Sequence, residues 1–420
     1  MTRVVITGIG LTTPVANNID DFMLAVKNND CGLRPIDLYD TLDSQVKYAG
    51  QCRELETLKI PNKKIKKLLN RKDLLNVLTA TSALSHSGIL PTNPDPKRGG
   101  VFVGSCSTQI DDFSPYFDSA LDCIKDNNQF FDSSMFGKKC LDLINPLAAM
   151  KVLMNGGLAH ISQLFNIQGV NANIINGETS GLEAIISAYQ SIARGDADWC
   201  VAGAVSAPVE PFQMSQAFHS KQLAPQIHIN TTNISKLVEP YSINSPGTCL
   251  GEGAVYFVLE KEDHAIKRNA SSLGVVSGFG FANNGSAKLK PQKPSPALIS
   301  AIRSSCKTAS LDPDEIQLVG GQGHGGFMDH IELESLREVF GTNTPPVMTT
   351  TPITGYLKEA NGPLSIAASL SSFNEPSRIT GHQSPAFSKE NTRKVPDVIR
   401  NCLIPVQSLN GSAAAIILSR

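Results

Sequence analysis

A chain of 420 residues, 41% hydrophobic and 18% charged, can bury a large core in one big domain or two fused ones. Its 37 Lys and Arg balance 38 Asp and Glu, which leaves no global field to draw nucleic acid or an anionic membrane, so any partner is chosen by local surface. Nine cysteines with no CxxC pair and no zinc-type spacing argue against a disulfide framework or a metal site and point to reduced thiols in the cytoplasm.

The chain opens on "RVVITGIG" (3–10), a strand whose apolar stretch is too short for a secretory leader. No later run reaches the length of a transmembrane helix. At 63–73, "KKIKKLLNRKD" carries Lys63, Lys64, Lys66, Lys67, Arg71 and Lys72, with Ile65, Leu68 and Leu69 at helical spacing. It reads either as a solvated helix face or as a docking patch for an acidic partner. A strand "GVFVGS" (100–105) follows. "INGETSGLEAI" (175–185) then reads as a strand end, a tight turn with Glu178 at the bend, and a helix start. Leu182, Ile185, Ile186, Tyr189, Ile192 and Ala193 set the helical period, and Gly195 is placed to cap the end. Glu178 therefore lies at the positive end of that helix dipole.

Further strands are expected at "WCVAGAV" (199–205), "AVYFVLE" (254–260), "GVVSGFG" (274–280) and "AAAIILS" (413–419), giving an α/β protein with buried sheets. "GVVSGFG" echoes the opening "VVITGIG", which suggests a duplication with its boundary near residue 260.

Five stretches spread over the chain resemble β-ketoacyl synthases: "RVVITGIGLTTPVANNIDDF" (3–22), "KVLMNGGLAHISQLFNIQGVNANI" (151–174), "ETSGLEAI" (178–185), "CLGEGAVYFVLEKEDHAIKRNA" (249–270) and "NGSAAAIILSR" (410–420). The resemblance implies the thiolase fold, two related halves at 1–260 and 261–420 packed as a five-layered αβαβα sandwich. In that family the turn before the helix carries an acyl-accepting cysteine, and here Glu178 replaces it. A first histidine is expected in "LVGGQGHGGFMDHIELE" (318–334). Counting back from Asp329 and Glu332 puts Gly321 at its position, or Gln322 if one residue has been deleted, while His324 reads as a loop histidine without a role unless a small register change brings its imidazole into the pocket. In "TTTPITGYLKEANGPLSIA" (349–367), Thr354 and Gly355 are kept, but Thr351 stands for a lysine and Tyr356 for the second histidine. The glycine-rich turn that supplies an oxyanion-hole amide has become "SLNGSAAAI" (408–416).

Condensation needs a thiolate to hold the acyl chain and two imidazoles to bind the malonyl thioester and promote loss of carbon dioxide. A carboxylate cannot hold the chain as a thioester. This pattern resembles the chain length factors, the ketosynthase β subunits of type II polyketide synthases. They pair with an active ketosynthase α subunit to form the polyketide tunnel and usually carry Gln where Glu178 stands. The implied partners are that α subunit and an acyl carrier protein, whose own phosphopantetheine holds the polyketide, so no cofactor or metal is assigned here. The basic run at Lys63, Lys64, Lys66, Lys67 and Arg71 is the candidate carrier patch. In "CSTQIDDFSPYFDSAL" (106–121), Thr108, Ile110, Phe113, Tyr116 and Phe117 are the candidates for closing the tunnel, unless the aromatics fill the core or a dimer interface. Two other readings stay open: a malonyl-carrier decarboxylase that makes an acetyl primer with Glu178 as charge or hydrogen-bond partner, and a homodimer in which Glu178 forms a buried salt bridge.

Overall fold

The computed structural model describes residues 2–55, 60, 63–110, 113–125, 130–226, 234–242, 245, 247–285, 292–373 and 396–420. Ten strands join in one sheet: β1 (Val4–Thr12), β2 (Gly99–Gly104), β3 (Asn171–Ile174), β4 (Trp199–Ser206), β5 (Gly253–Lys261), β6 (Gly274–Asn283), β7 (Leu318–Gly320), β8 (Val347–Met348), β9 (Asn401–Gln407) and β10 (Ser412–Ser419). Every residue of β1 and of β4 is buried. Their near-continuous apolar runs, without alternation, are what a sheet covered on both faces demands.

The strand order is β8-β7-β9-β10-β6-β1-β5-β4-β2-β3, and its two halves repeat one pattern. β2 runs parallel to β3 and β4, and the steps from β4 to β5 and from β5 to β1 are antiparallel. In the same way β7 runs parallel to β8 and β9, with antiparallel steps from β9 to β10 and from β10 to β6. The two echoed segments are β1 and β6, and they lie side by side, Val5 opposite Val275.

Seven helices matter for the site: α1 (Arg71–Ser87), α2 (Ser114–Leu121), α3 (Ser180–Arg194), α4 (Pro211–His219), α5 (Pro296–Ala309), α6 (Phe327–Phe340) and α7 (Asn361–Ser372). α1 packs on β1, β4 and β5, and α5 takes the matching place on β6 and β10. Between the halves, α3 lies on β2 and β4, α7 lies on β7 and β9, and the two helices touch. Helix, sheet, helix, sheet and helix thus alternate in five layers. The central core joins Leu182 and Ile185 of α3 to Leu364 and Ala367 of α7, with Phe102, Phe257, Ile404 and Ile416 from the strands. α3 begins at Ser180 and ends on Gly195 in the left-handed conformation (φ 82°), as its sequence predicts.

Candidate functional site

The turn before α3 is built from its own side chains. Ser180 Oγ accepts the Asn176 N–H at 2.7 Å and donates to the Gly177 carbonyl at 2.7 Å. Asn176 Nδ2 donates to Glu183 Oε1 at 2.6 Å, which ties the turn to the first turn of the helix. Gly177 has φ +61°, and a Cβ there would stand 2.1 Å from Ser408 Oγ, so only glycine lets the C-terminal turn approach this closely. Glu178 is half-buried. The Ser408 hydroxyl donates to its Oε2, and its own N–H lies 3.4 Å from Ser408 Oγ. Among the described residues of this chain, no cation pairs with Glu178. Within the chain the carboxylate is held by this hydrogen bond from the C-terminal turn.

Gln322 and Tyr356, which the sequence comparison singles out beside Gly321 and Thr351, are cross-tied. At Gly321 a Cβ would stand 2.2 Å from Tyr241 Oη and 2.5 Å from Val347, which leaves no room for any side chain on this backbone. The neighbouring Gln322 fills the space instead. Its Nε2 donates to the Gln407 carbonyl at 3.0 Å and to Tyr356 Oη, while its Oε1 accepts the Gln407 N–H at 3.1 Å. The Gln322 carbonyl accepts from Asn361 Nδ2 at 2.8 Å and from Thr351 Oγ1 at 3.3 Å. Thr351 and Tyr356 are both buried. Burial, then the Glu178 charge, pushes the Tyr356 phenol well above its ordinary value. It stays neutral and can donate, but it cannot act as a base.

Of the two placements the sequence leaves open for His324, the structure shows the inward one. Its loop carries the ring into the interior, 4% exposed, with its centroid 4.7 Å from that of Tyr356 in an edge contact. Burial lowers it to about 4 against the opposing pull of Glu178, so the imidazole is neutral at physiological pH. Its Nδ1 has no hydrogen-bond partner among the described residues. One imidazole therefore packs against Tyr356 and lies within electrostatic reach of Glu178.

Two neighbours, Cys106 and Glu359, escaped the sequence reading as site residues, and a third, Lys72, was read only as part of the basic run. Cys106 Sγ lies 2.9 Å from Ser180 Oγ and 3.3 Å from the Gly177 carbonyl. Burial and then the Glu359 charge push this thiol up to about 11, which disfavours the thiolate. Lys72 is fully buried with Nζ 2.9 Å from the Ser107 carbonyl, and burial lowers its pKa. Glu359 is buried as well, and burial raises its carboxyl. Nothing in their local sequence sets these three apart, because only the packing of α1, the end of β2 and the segment before α7 brings them together.

The basic run splits. Residues Lys63–Leu68 form a 3-10 helix, with Lys66 and Lys67 exposed and Ile65 and Leu69 buried. The side chains of Lys63 and Lys64 lie outside the described residues. Arg71 corrects its assignment to the patch. Its Nε lies 2.8 and 3.1 Å from the carboxylate oxygens of the fully buried Glu252, and its Nη2 donates to the Cys52 carbonyl at 2.6 Å. Burial of Glu252 beneath it turns the guanidinium inward.

The tunnel candidates surround two cavities. Ile110, Phe113 and Phe117 line one of about 680 Å³ together with Phe212 of α4, and Phe113 stands 6.0 Å from Phe212 and 6.3 Å from Phe117 between ring centroids. Tyr116 lines a second of about 280 Å³, and Ile110 borders both. Thr108 is exposed, and none of the three aromatics is buried, so core filling does not account for them. Among the described residues there is no cluster of metal-ligating side chains and no helix long and apolar enough to cross a membrane.

Residues 1–265 match the model of the β-ketoacyl synthase N-terminal domain, and residues 273–377 match that of the C-terminal domain. The 3-oxoacyl-[acyl-carrier-protein] synthase 2 of Coxiella burnetii is 24% identical over 376 residues, covering 88% of this chain and 85% of its own. The granaticin polyketide putative beta-ketoacyl synthase 1 of Streptomyces violaceoruber is 25% identical over 374 residues, covering 88% and 85%. Among solved structures, the ishigamide ketosynthase/chain length factor superposes with a TM-score of 0.82 at 18% identity, covering 100% of this chain and 99% of the other. A type II polyketide synthase acyl carrier protein in complex with its hexaketide-bound ketosynthase gives 0.80 at 19%, also covering 100% and 99%. The five layers are the thiolase-like ketosynthase fold.

Proposed function

This chain belongs to the β-ketoacyl synthase family, and from that premise we propose that it is a chain length factor. It lacks the ketosynthase nucleophile, pairs with an active ketosynthase α subunit, and sets polyketide chain length while malonyl units are condensed from an acyl carrier protein. The observation that carries the reading is the state of the three catalytic positions. Glu178 is bound to Ser408 where a thiolate would form, and Gln322 and Tyr356 are bonded to one another where two imidazoles would face the substrate. The partner supplies cysteine and histidines.

An unusual outer surface supports the pairing. β3 ends the sheet with Ile175 exposed just after it, and Leu121, Phe130, Phe131, Leu141 and Met150 stand exposed along the chain between β2 and β3. An unpaired edge strand and large exposed apolar side chains are features that a second subunit covers. The ketosynthase and carrier-protein complexes among the solved relatives give both partners a precedent. On this reading the division into 1–260 and 261–420 separates two ketosynthase-like halves, Lys66 and Lys67 remain as the described part of the carrier patch, and the cavity between Phe113, Phe117 and Phe212 opens toward the tunnel. Co-expression with an active ketosynthase should give a 1:1 complex, whereas a homodimer that elongates malonyl units alone would exclude the reading.

The placement of His324 favours a second reading, a malonyl-carrier decarboxylase. A neutral imidazole N–H can bind the thioester carbonyl while the bond from the α-carbon to the carboxylate breaks, its electron pair passing into the enolate and a proton from solvent restoring the acetyl group. Carbon dioxide release from malonyl-carrier by the chain alone, lost in His324→Ala, would select this reading.

A further inference from the structure

The two cavities beside α2 share one wall. Gln109 and Ile110 line both, and beyond them the smaller cavity is bounded by Leu143, Ile144, Ala148 and Val152, side chains that suit a carbon chain. The first turn of α1 holds this wall. Lys72 is fully buried, and its Nζ donates to the Ser107 carbonyl at 2.9 Å and to the Met154 carbonyl at 3.4 Å. Its backbone N–H donates to Gln109 Oε1 at 2.7 Å. One residue thus ties segment 107–109, on one side of the smaller cavity, to the chain just past Val152 on the other. Asn70 Nδ2 adds a bond to the Lys151 carbonyl at 2.5 Å, and Gln213 Nε2 of α4 adds a longer one, 3.4 Å, to the Thr108 carbonyl. Of these three residues, Lys72 alone bonds to both sides. Burying an ammonium is costly unless hydrogen bonds meet it, so a side chain needed only to fill this space would be apolar.

We propose that Lys72 is a positioning residue for product length: through its ammonium and its N–H it holds the Gln109–Ile110 wall shut between the two cavities, so that the smaller one stays out of reach of the growing chain. The proposal rests on the chain length factor reading. Ile110 supplies the steric stop, and Lys72 acts only through the wall. Without the ammonium, the Ser107 and Met154 carbonyls lose the donor they share, the two sides are no longer tied through it, and the wall is free to move. The end of the chain then enters the smaller cavity and the product grows before it is blocked.

Mass spectrometry of carrier-bound products from the reconstituted complex tests it, with Lys72→Met, Ile110→Ala and the two combined beside wild type. Lys72→Met should move the main product up by one or more two-carbon units while turnover persists. Ile110→Ala should do the same, and the combination should go no further than Ile110→Ala alone, since both act through one wall. An additive combination means two separate stops and overturns the proposal. Unchanged length in a folded Lys72→Met, even with a fall in yield, overturns it too; if Ile110→Ala still lengthens the product, the chain length factor reading stands. No polyketide from the wild-type pair overturns that reading, and the proposal with it. A crystal structure of Lys72→Met should show the Gln109–Ile110 wall displaced, and a wall in its wild-type place counts against the proposal. If Lys72→Met does not fold, Gln109→Leu, which cuts the other tie at nearly constant volume, decides: its products should lengthen, and unchanged length overturns the proposal.

Discussion

Arg71 gives the sharpest separation between a structural and a docking role. Replacing it by Ala removes the fork that meets Glu252, whose carboxylate is fully buried and is otherwise bonded to the Cys52 N–H at 2.8 Å. An uncompensated buried carboxylate costs about 3–5 kcal/mol. At ~2 °C per kcal/mol for a chain of this size, Tm should fall by roughly 6–10 °C. Adding Glu252→Gln should recover part of the loss, because the orphan is then neutral. Lys66→Glu with Lys67→Glu alters exposed side chains only and should move stability by less than about 0.5 kcal/mol, while weakening binding to an acidic carrier protein. Scanning calorimetry and surface plasmon resonance on the same set of variants read both effects. If Arg71→Ala left Tm unchanged and abolished carrier binding, the inward ion pair would be irrelevant and the guanidinium would belong to the docking surface.

Glu178→Gln should keep most of the activity of the reconstituted complex, and Glu178→Cys should not form a second working site, since Gln322 and Tyr356 still stand where imidazoles are needed; acyl labelling with the partner's nucleophile removed checks this. Phe113→Ala or Phe117→Ala should enlarge the 680 Å³ cavity and lengthen the products seen by mass spectrometry of the carrier, whereas Tyr116→Ala opens the smaller one. Because these rings are not fully buried, each stability loss should stay below the 3–5 kcal/mol of a buried aromatic. Burial alone would raise the Glu260 carboxyl, but hydrogen bonds from Arg268, His264 and Thr7 outweigh it and hold it near 2. Its stabilisation, about 3 kcal/mol, is present above pH 4.5 and lost as pH falls toward 2. Acid titration of Arg268→Ala should show that part of the transition moved upward in pH.

The long strands and α3 were legible because apolar runs and a 3.6-residue period carry through β1, β4, β5, β6, β10 and the helix, and the echo of β1 in β6 pointed to the duplication that the strand order displays. The short strands were not. β3 reads "NANI", β7 and β8 have three and two residues, and β9 contains Pro405, so each exists through its neighbours and not through its own propensity. At the site, Glu178, Thr351 and Tyr356 could be read one by one against the family resemblance. The direction of the His324 ring stayed open, because it depends on a glycine-rich loop whose N–H groups bond to Asp329 and Glu332 of α6. Arg71 failed for a similar reason: its partner Glu252 lies 181 residues away in sequence.

The most direct test of the central claim is acyl transfer in a reconstituted pair, with malonyl-carrier supplied and radiolabelled acyl groups located by peptide mapping. The proposed role predicts that this chain alone elongates nothing, that the 1:1 complex makes polyketide, and that within the complex every acyl group not on the carrier lies on the partner's cysteine. Label on a residue of this chain, or elongation by this chain without a ketosynthase, would contradict it.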